Sequence, residues 1–123
     1  MPWNFDAERP IYAQLLERIQ MQIVSGYYKP GDKLPSVREL ASVANVNPNT
    51  MQKAFSELER SGLITTQRTS GRTVTEDIIR IKNVQDELAA RHITKFIQNM
   101  KELGYTGEET KSLLDARIEE GIA

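Results

Sequence analysis

One stretch of the sequence decides the fold, residues 34–64, which reads LPSVRELASVANVNPNTMQKAFSELERSGLI. Ser36 followed three residues later by Glu39 is a capping box, in which the serine side chain caps the first turn and the glutamate reaches back to the cap. A short helix is therefore predicted after Ser36, ending at about Asn45. Its inward-facing residues are predicted to be Val37, Leu40, Ala41 and Ala44.

A second helix begins almost at once. Asn47 is a favourable N-cap, and Pro48 suits the first helical position. Gly62 stands where a helix ends in a left-handed residue. Between them lies an apolar stripe at helical spacing, formed by Met51, Ala54, Phe55 and Leu58. Two helices separated by about three residues predict a helix-turn-helix.

The segments on either side complete the pattern. Upstream, a helix is predicted to open at Pro10, whose fixed φ suits the first helical position, and to end at Gly26. Its apolar stripe consists of Ile11, Leu15, Ile19 and Ile23. Residues 33–35 are predicted to be extended, because the residue before a proline avoids the helical region.

Downstream, residues 63–68 and 72–75 are β-prone, and residues 69–71 are predicted to form the turn between them. A hairpin directly after a helix-turn-helix is a wing.

A long amphipathic pattern follows Asp77 and extends over about seven turns to Gly104. Thr106 and Glu109 form another capping box, which opens a last helix. One short helix cannot bury so long a stripe, whereas the same stripe on a second copy would cover it. The homodimer interface is predicted to contain Ile81, Val84, Leu88, His92, Phe96, Met100, Leu103, Leu114 and Ile118. The alternative is that the long helix packs back on its own winged helix.

These elements predict a mainly α fold with a small β wing (α+β). The 123 residues have room for one small domain and an appendage. The predicted division is a winged helix-turn-helix domain at 1–75 and a two-helix dimerisation region at 76–123.

Several classes of function are excluded by composition. The chain has no cysteine, and its single histidine, His92, cannot build a metal site alone. No nucleophile–base pair, Gly-rich phosphate loop or carboxylate cluster is present, so neither an enzyme nor a cofactor is expected. No run approaches the roughly 18 apolar residues of a membrane span, so a cytoplasmic protein with no membrane partner is expected.

The charge distribution permits nucleic acid as a partner without requiring it. Residues 1–75 carry 9 Lys/Arg against 7 Asp/Glu, and residues 76–123 carry 7 against 10, for a net charge of −1. A mildly basic front ahead of an acidic tail is compatible with one end facing DNA, although it is no basic patch.

The outer face of the second helix of the helix-turn-helix is polar. At about 100° per residue, Asn49, Lys53, Ser56 and Arg60 point away from the apolar stripe, with Thr50 and Gln52 on the flanks. Asn and Gln can bond adenine bidentately, and Lys favours guanine or phosphate. Such residues also make an ordinary solvated face. Their place after a capped short helix and before a wing favours DNA.

The motifs LPSVRELA at 34–41, VNPNT at 46–50 and LERSGLI at 58–64 strongly resemble the winged helix of GntR-type regulators. The Pro-Ile-Tyr of the first helix and the Asn-Pro-Asn-Thr segment resemble the YtrA subfamily. The resemblance covers roughly residues 8–76, and it implies a short helical dimerisation region in place of a larger effector domain.

The resemblance also implies which residues bind DNA. It assigns this role to Arg38 and to the start of the recognition helix, where the matching residues are Asn47, Pro48, Asn49, Thr50 and Gln52. The family's usual wing tip, Arg-Gly-Lys-Gly-Thr, here reads Arg68, Thr69, Ser70, Gly71 and Arg72. One glycine and the tip lysine are missing, and Arg72 offers a cation two places further on. Arg68, Ser70, Gly71 and Arg72 are therefore predicted to contact DNA, through contacts that differ from the family's.

Three further residues have two interpretations each. Lys33 reaches phosphate or is simply solvated, and Ser36 only caps its helix or also binds phosphate at the helix N-terminus. His92 lies on the apolar face of the long helix, where it packs at an interface or serves as a ligand.

The function predicted from these observations is that of a homodimeric transcription regulator, a repressor that occludes a promoter at a pseudo-palindromic DNA operator. The resemblance suggests transporter genes as targets. A protein-interaction module is the alternative, since winged helices also serve as scaffolds. A small-molecule effector is compatible with either, although nothing in the sequence encloses an obvious pocket except at the dimer seam.

Overall fold

The computed structural model describes residues 3–69 and 71–121. The described part is mainly helical with one small antiparallel sheet, which confirms the predicted fold class. Its elements in chain order are α1 (Ile11–Val24), α2 (Val37–Ala44), α3 (Pro48–Arg60), β1 (Ile64–Gln67), β2 (Gly71–Val74), α4 (Ile78–Glu102) and α5 (Gly107–Glu119).

Side-chain caps explain where the helices of the helix-turn-helix begin. The Ser36 hydroxyl accepts from the Glu39 N–H at 3.1 Å, and the Glu39 carboxylate accepts from the Ser36 N–H at 3.2 Å. Asn47 caps α3 by accepting from the Asn49 N–H at 2.7 Å. Between the helices, Asn45 has a φ of 59°, a left-handed conformation that asparagine tolerates better than most residues. Both predicted caps are confirmed.

The start of α1 differs by one residue from the prediction. Pro10 has a φ of −56° and a ψ of 134°, so it is the extended N-cap and Ile11 is the first helical residue. Proline's fixed φ is equally compatible with extended backbone, and ψ decides between the two positions.

A three-helix core supports the site, with α1 and α2 both packed on α3. Phe55 and Leu58 of α3 are fully buried. The other buried apolar side chains of these three helices are Leu15, Ile19, Ile23, Leu40, Ala41, Ala44, Met51 and Ala54. The predicted stripes are therefore confirmed, except that Val37 of α2 is only half-buried and Ile11 of α1 is exposed.

The wing is a hairpin with a third segment along its edge. β1 and β2 pair with Ile64 opposite Val74 and Thr66 opposite Arg72. On the other side of β2, the Leu34 N–H donates to the Arg72 carbonyl and the Val74 N–H donates to the Asp32 carbonyl, both at 2.9 Å. The extended segment ahead of α2 is thus part of the wing sheet.

The turn of the wing begins one residue earlier than predicted, because β1 ends at Gln67 and Arg68 is already a turn residue. Gly71, expected in the turn, is the first residue of β2, and its φ of 80° is one that L side chains rarely adopt. Ser70, the other predicted turn residue, lies outside the described residues.

The contacts divide the chain into two compact units, Met1–Gln85 and Asp86–Ala123. The division falls inside α4, later than the domain boundary expected at 75/76. The first turns of α4 belong to the first unit, where the Gln85 side chain donates to the Val24 carbonyl at 3.4 Å and Val84 is buried. These turns of α4 therefore pack on the chain's own winged helix, which was the alternative to the homodimer interface.

The second unit consists of the rest of α4 and of α5. Thr106 and Glu109 form the predicted capping box of α5, and the buried Thr110 donates its hydroxyl to the Thr106 carbonyl at 2.8 Å. Many large apolar side chains of this unit stay exposed: Ile93, Ile97, Leu103, Tyr105, Leu113, Leu114 and Ile118.

Candidate DNA-binding surface

The first two turns of α3 present polar side chains to solvent. Asn49, Gln52 and Lys53 are exposed, and Thr50 is half-buried. The Gln52 amide donates weakly to the Ser56 hydroxyl at 3.4 Å, one turn further along. No side-chain hydrogen bond ties Asn49 to any described residue. Two amides therefore stand at the end of the helix that a helix-turn-helix directs at base edges.

Two of the predicted contact residues also cap helices. Asn47 uses its side-chain oxygen to cap α3, which leaves its NH₂ group for a partner. Ser36 uses its oxygen as an acceptor in the capping box, so only its hydroxyl hydrogen can bond a phosphate. Hydrogen bonds from Ser36 lower the pKa of Glu39 below its ordinary value.

Lys53 lies over an aromatic ring. Its Nζ is 4.6 Å from the ring centroid of Tyr12 in α1, within the range of a cation–π contact. The prediction placed Lys53 on the outer face of α3 and missed Tyr12. A signal existed, because Tyr12 lies on the flank of the apolar stripe of α1, the helix that packs on α3.

Two of the predicted cations lie on elements other than the recognition helix. Arg38, in the first turn of α2, is exposed and makes no side-chain hydrogen bond or ion pair with the described residues. Lys33 pairs with Thr73 of the wing, and its Cε lies 3.8 Å from the position that a Cβ on Gly71 would take. Its aliphatic stem therefore lies beside the wing turn.

The two arginines of the wing have different environments. Arg68 is exposed, with no ion pair to the described residues. Arg72 is partly buried: its Nε donates to a Glu59 carboxylate oxygen at 2.7 Å, and its guanidinium lies 5.3 Å from the Phe55 ring centroid. The prediction treated both as cations offered to DNA. The structure offers Arg68 freely and holds Arg72 against α3.

Glu59 is the functional residue that sequence reasoning missed. The Arg72 hydrogen bond, and to a lesser extent one from the Thr66 hydroxyl, lower the pKa of the Glu59 carboxyl. Its position four residues after the buried Phe55 places it beside the ring on which Arg72 lies. That spacing was visible in the sequence, but the partner strand was not.

Beside α1 there is an open groove of about 720 Å³, which the sequence did not predict. Asn4 and Phe5 line one side, and Arg18, Met21 and Gln22 of α1 line the other. Within residues 3–69 and 71–121, no three acidic or histidine side chains come together as a metal site. No helix in the described ranges is long and apolar enough to cross a membrane.

Comparison with known proteins identifies this arrangement. Residues 11–74 match the model for bacterial regulatory proteins of the gntR family. The HTH-type transcriptional repressor YtrA of Bacillus subtilis (strain 168) is 40% identical over 108 residues, which cover 85% of this chain and 78% of YtrA.

Solved structures agree with the sequence match. A GntR family transcriptional regulator from Listeria monocytogenes superposes with a TM-score of 0.83 at 41% identity, covering 91% of this chain and 98% of that chain. The AraR DNA-binding domain, solved in complex with operator ORX1, gives a TM-score of 0.52 at 30% identity, covering 61% of this chain and 93% of that domain. The chain therefore belongs to the gntR family of bacterial regulatory proteins, as a DNA-binding transcription regulator and not an enzyme.

Proposed function

We propose that this regulator is a homodimeric repressor, which binds a pseudo-palindromic operator with one α3 helix in each of two successive major grooves. The observation that carries the proposal is the pairing of an exposed amide surface on α3 with an exposed apolar surface on α4 and α5. The first suits base edges and the second suits another copy of the chain.

Base readout is assigned to Asn49 and Gln52. Both side chains are exposed, and neither serves as a helix cap. A bidentate amide–adenine pair gives roughly 1–3 kcal/mol of discrimination against the wrong base. Thr50 and Pro48 flank these amides and come close to the same bases or to the sugar-phosphate backbone.

Phosphate contacts are assigned to the exposed groups around α3. Arg38 is in the first turn of α2, Lys33 and Arg68 are in or beside the wing with Gly71, and Lys53 is on α3 itself. Ser70, outside the described residues, is assigned to this group from the sequence alone. Ser36 and Asn47 add the donors left over from capping. These contacts set the register of the protein on the duplex and supply the salt-dependent part of the affinity.

The second copy is assigned to the apolar surface of α4 and α5. Val84 and Leu88 are already buried, at 7% and 6% exposure, so they offer little to a partner. Ile81, Phe96 and Met100 are half-buried, and His92, Leu103, Leu114 and Ile118 are exposed. Ile93, Ile97 and Leu113 join this surface from positions outside the predicted set. A soluble monomer rarely leaves so many large apolar side chains together in water.

Repression is the mode of action that we assign to such a dimer. Two recognition helices spaced by about 34–36 Å read half-sites one turn of DNA apart, and a dimer bound across a promoter occludes it. The B. subtilis relative YtrA carries the name of a repressor. Because the operator is part of the chromosome, the site of action is the cytoplasm. A small-molecule effector would find space in the groove beside α1.

The experiment is selection of duplexes from random DNA by the full chain, combined with light scattering at micromolar concentration. We expect a two-fold symmetric site and a dimeric mass, and promoter-reporter expression that rises when the gene is deleted. A monomer with an asymmetric site would contradict the dimer. A folded protein that selects no sequence would favour the protein-interaction module instead.

A further inference from the structure

We propose that Arg72 and Glu59 form a tie that positions the wing relative to the recognition helix, so that Arg72 acts on DNA binding without touching DNA. The inference deepens the proposed function and rests on the wing lying against the duplex. It removes one of the two wing arginines from the phosphate contacts and gives a role to Glu59, an acidic residue on the recognition helix itself.

The first step is the contact between the two elements. Arg72 is in the middle of β2 and Glu59 is in the last turn of α3. Their side chains meet at 2.7 Å, with 26% and 34% of their surface exposed. An arginine held by a carboxylate and an aromatic face has fewer donors and less freedom to offer a phosphate than an exposed one.

The second step is that the tie acts on the whole hairpin. Thr66 of β1 is directly opposite Arg72 of β2, so the residue that Glu59 holds is itself paired with the other strand of the wing. A carboxylate that fixes Arg72 therefore limits the movement of both strands.

The third step is the aromatic support. The Arg72 guanidinium lies 5.3 Å from the ring centroid of Phe55, which is fully buried in the core. A cation over a buried ring is fixed in space by the packing beneath it. The tie thus connects the wing to the most rigid part of the domain. In consequence, Arg68 and the recognition amides reach the duplex together.

The test compares four proteins: the wild-type chain, Arg72→Ala, Glu59→Ala and the double variant. Binding is measured by fluorescence anisotropy over a salt series, with the duplex of highest affinity from the random-DNA selection and with a random-sequence duplex of equal length. Arg68→Ala is the matched control for an arginine that does contact phosphate.

If the tie positions the wing, Arg72→Ala and Glu59→Ala each weaken binding to the selected duplex by about 5- to 30-fold, and the double variant is no weaker than either. The slope of log K against log salt stays at the wild-type value for all three, because the wing still makes the Arg68 contact once it is bound and the affinity is lost in ordering a loosened wing. Arg68→Ala lowers that slope by about two for a dimer.

Two results would overturn the inference. A fall in slope by about two for Arg72→Ala, with Glu59→Ala binding as tightly as wild type or tighter, would make Arg72 a phosphate contact. An unchanged slope for Arg68→Ala would mean that the wing does not contact the DNA, and it would also contradict the proposed placement of the wing.

Two further measurements keep the test decisive if a variant is unstable. The reversed pair Glu59→Arg with Arg72→Glu is expected to recover most of the lost affinity. Hydrogen exchange of the folded protein is expected to speed up at residues 71–74 in Arg72→Ala and Glu59→Ala alike. Slow exchange at wild-type rates in both variants would show that no tie holds the wing.

Discussion

Phe55 and Leu58 in the unit Met1–Gln85 are fully buried, whereas Ile97 and Leu114 in the unit Asp86–Ala123 leave 42% of their surface exposed. Each unit contains a helix that is opened by a capping box. They differ in what covers the apolar side. The winged helix covers its own, whereas the second unit leaves it exposed, and in the proposed dimer the second copy covers it. The proposal therefore makes stability internal to the first unit and dependent on association in the second.

The largest effect is expected from charging the exposed surface of the second unit. Ile97→Glu combined with Ile118→Glu places carboxylates where the second copy would pack, so the dimer dissociates and operator affinity falls by about 10²–10⁴-fold. Light scattering and anisotropy measure the two effects. Gln98→Glu, next to Ile97 on the same helix, is the control for adding one carboxylate to α4 and should stay dimeric. If the protein with both added carboxylates stayed dimeric, the exposed surface of the second unit would not be where the second copy packs, and the proposed contrast between the units would fail.

The core of the first unit should respond to the loss of a single ring. Phe55→Ala removes a fully buried side chain, and we expect the free energy of unfolding to fall by about 3–5 kcal/mol in urea titrations. Val43→Ala is the control, since Val43 is 53% exposed in the same unit, and should change stability by less than about 0.5 kcal/mol. If the two variants lost a similar free energy of unfolding, the first unit would not have a core that excludes water around Phe55.

Base readout belongs to the first unit alone. Asn49→Ala and Gln52→Ala should each narrow the gap between operator and random DNA by roughly 1–3 kcal/mol and leave the salt slope nearly intact. Lys53→Ala should weaken binding to operator and to random DNA alike, because it removes a contact with the phosphate backbone of the DNA. If both amide variants keep the full operator-to-random ratio, readout comes from Arg38, the wing or DNA shape.

The same capping box in both units permits a matched comparison. Ser36→Ala and Thr106→Ala each remove a cap hydroxyl that accepts a backbone N–H at 3.1 Å, and each should cost about 1 kcal/mol. The shift in melting temperature from Thr106→Ala should depend on protein concentration, because α5 belongs to the unit that relies on a partner. Equal concentration dependence in the two variants would contradict this division.

The smallest effect is expected from pH, through Glu59. Its pKa is lowered in the folded protein, chiefly by Arg72, so the tie contributes fully above the ordinary value of 4.5 and is lost as the pH falls through the lowered value. The difference in melting temperature between wild type and Arg72→Ala should therefore close in acid. A difference that stays constant into acid would mean that Glu59 is not the partner that matters.

Local patterns explain which parts of the structure could be predicted. The capping boxes at Ser36 and Thr106, the Asn47 cap and the stripe through Phe55 depend on residues two to four apart, and each was found where the spacing placed it. The recognition surface followed from the same arithmetic, since a residue on the side opposite Phe55 must be exposed.

Contacts between distant segments could not be predicted in the same way. Glu59 and Arg72 are 13 residues apart, and nothing in either neighbourhood indicates the register that brings Arg72 under the carboxylate. The contact between Lys53 and Tyr12, and the pairing of the segment ahead of α2 with β2, could not be predicted for the same reason. The boundary inside α4 escaped prediction because an unbroken helical pattern contains no sign of where its packing partner changes.

The segment along the edge of β2 has a mechanical consequence. The chain runs from α2 through α3 into β1 and β2, and the bonds of Leu34 and Val74 then return it to the residues just before α2. The hydrogen bonds thus close a loop that consists of α2, α3 and the wing. A displacement of the wing is therefore transmitted to the start of α2, where Arg38 is, and the DNA-facing side moves together.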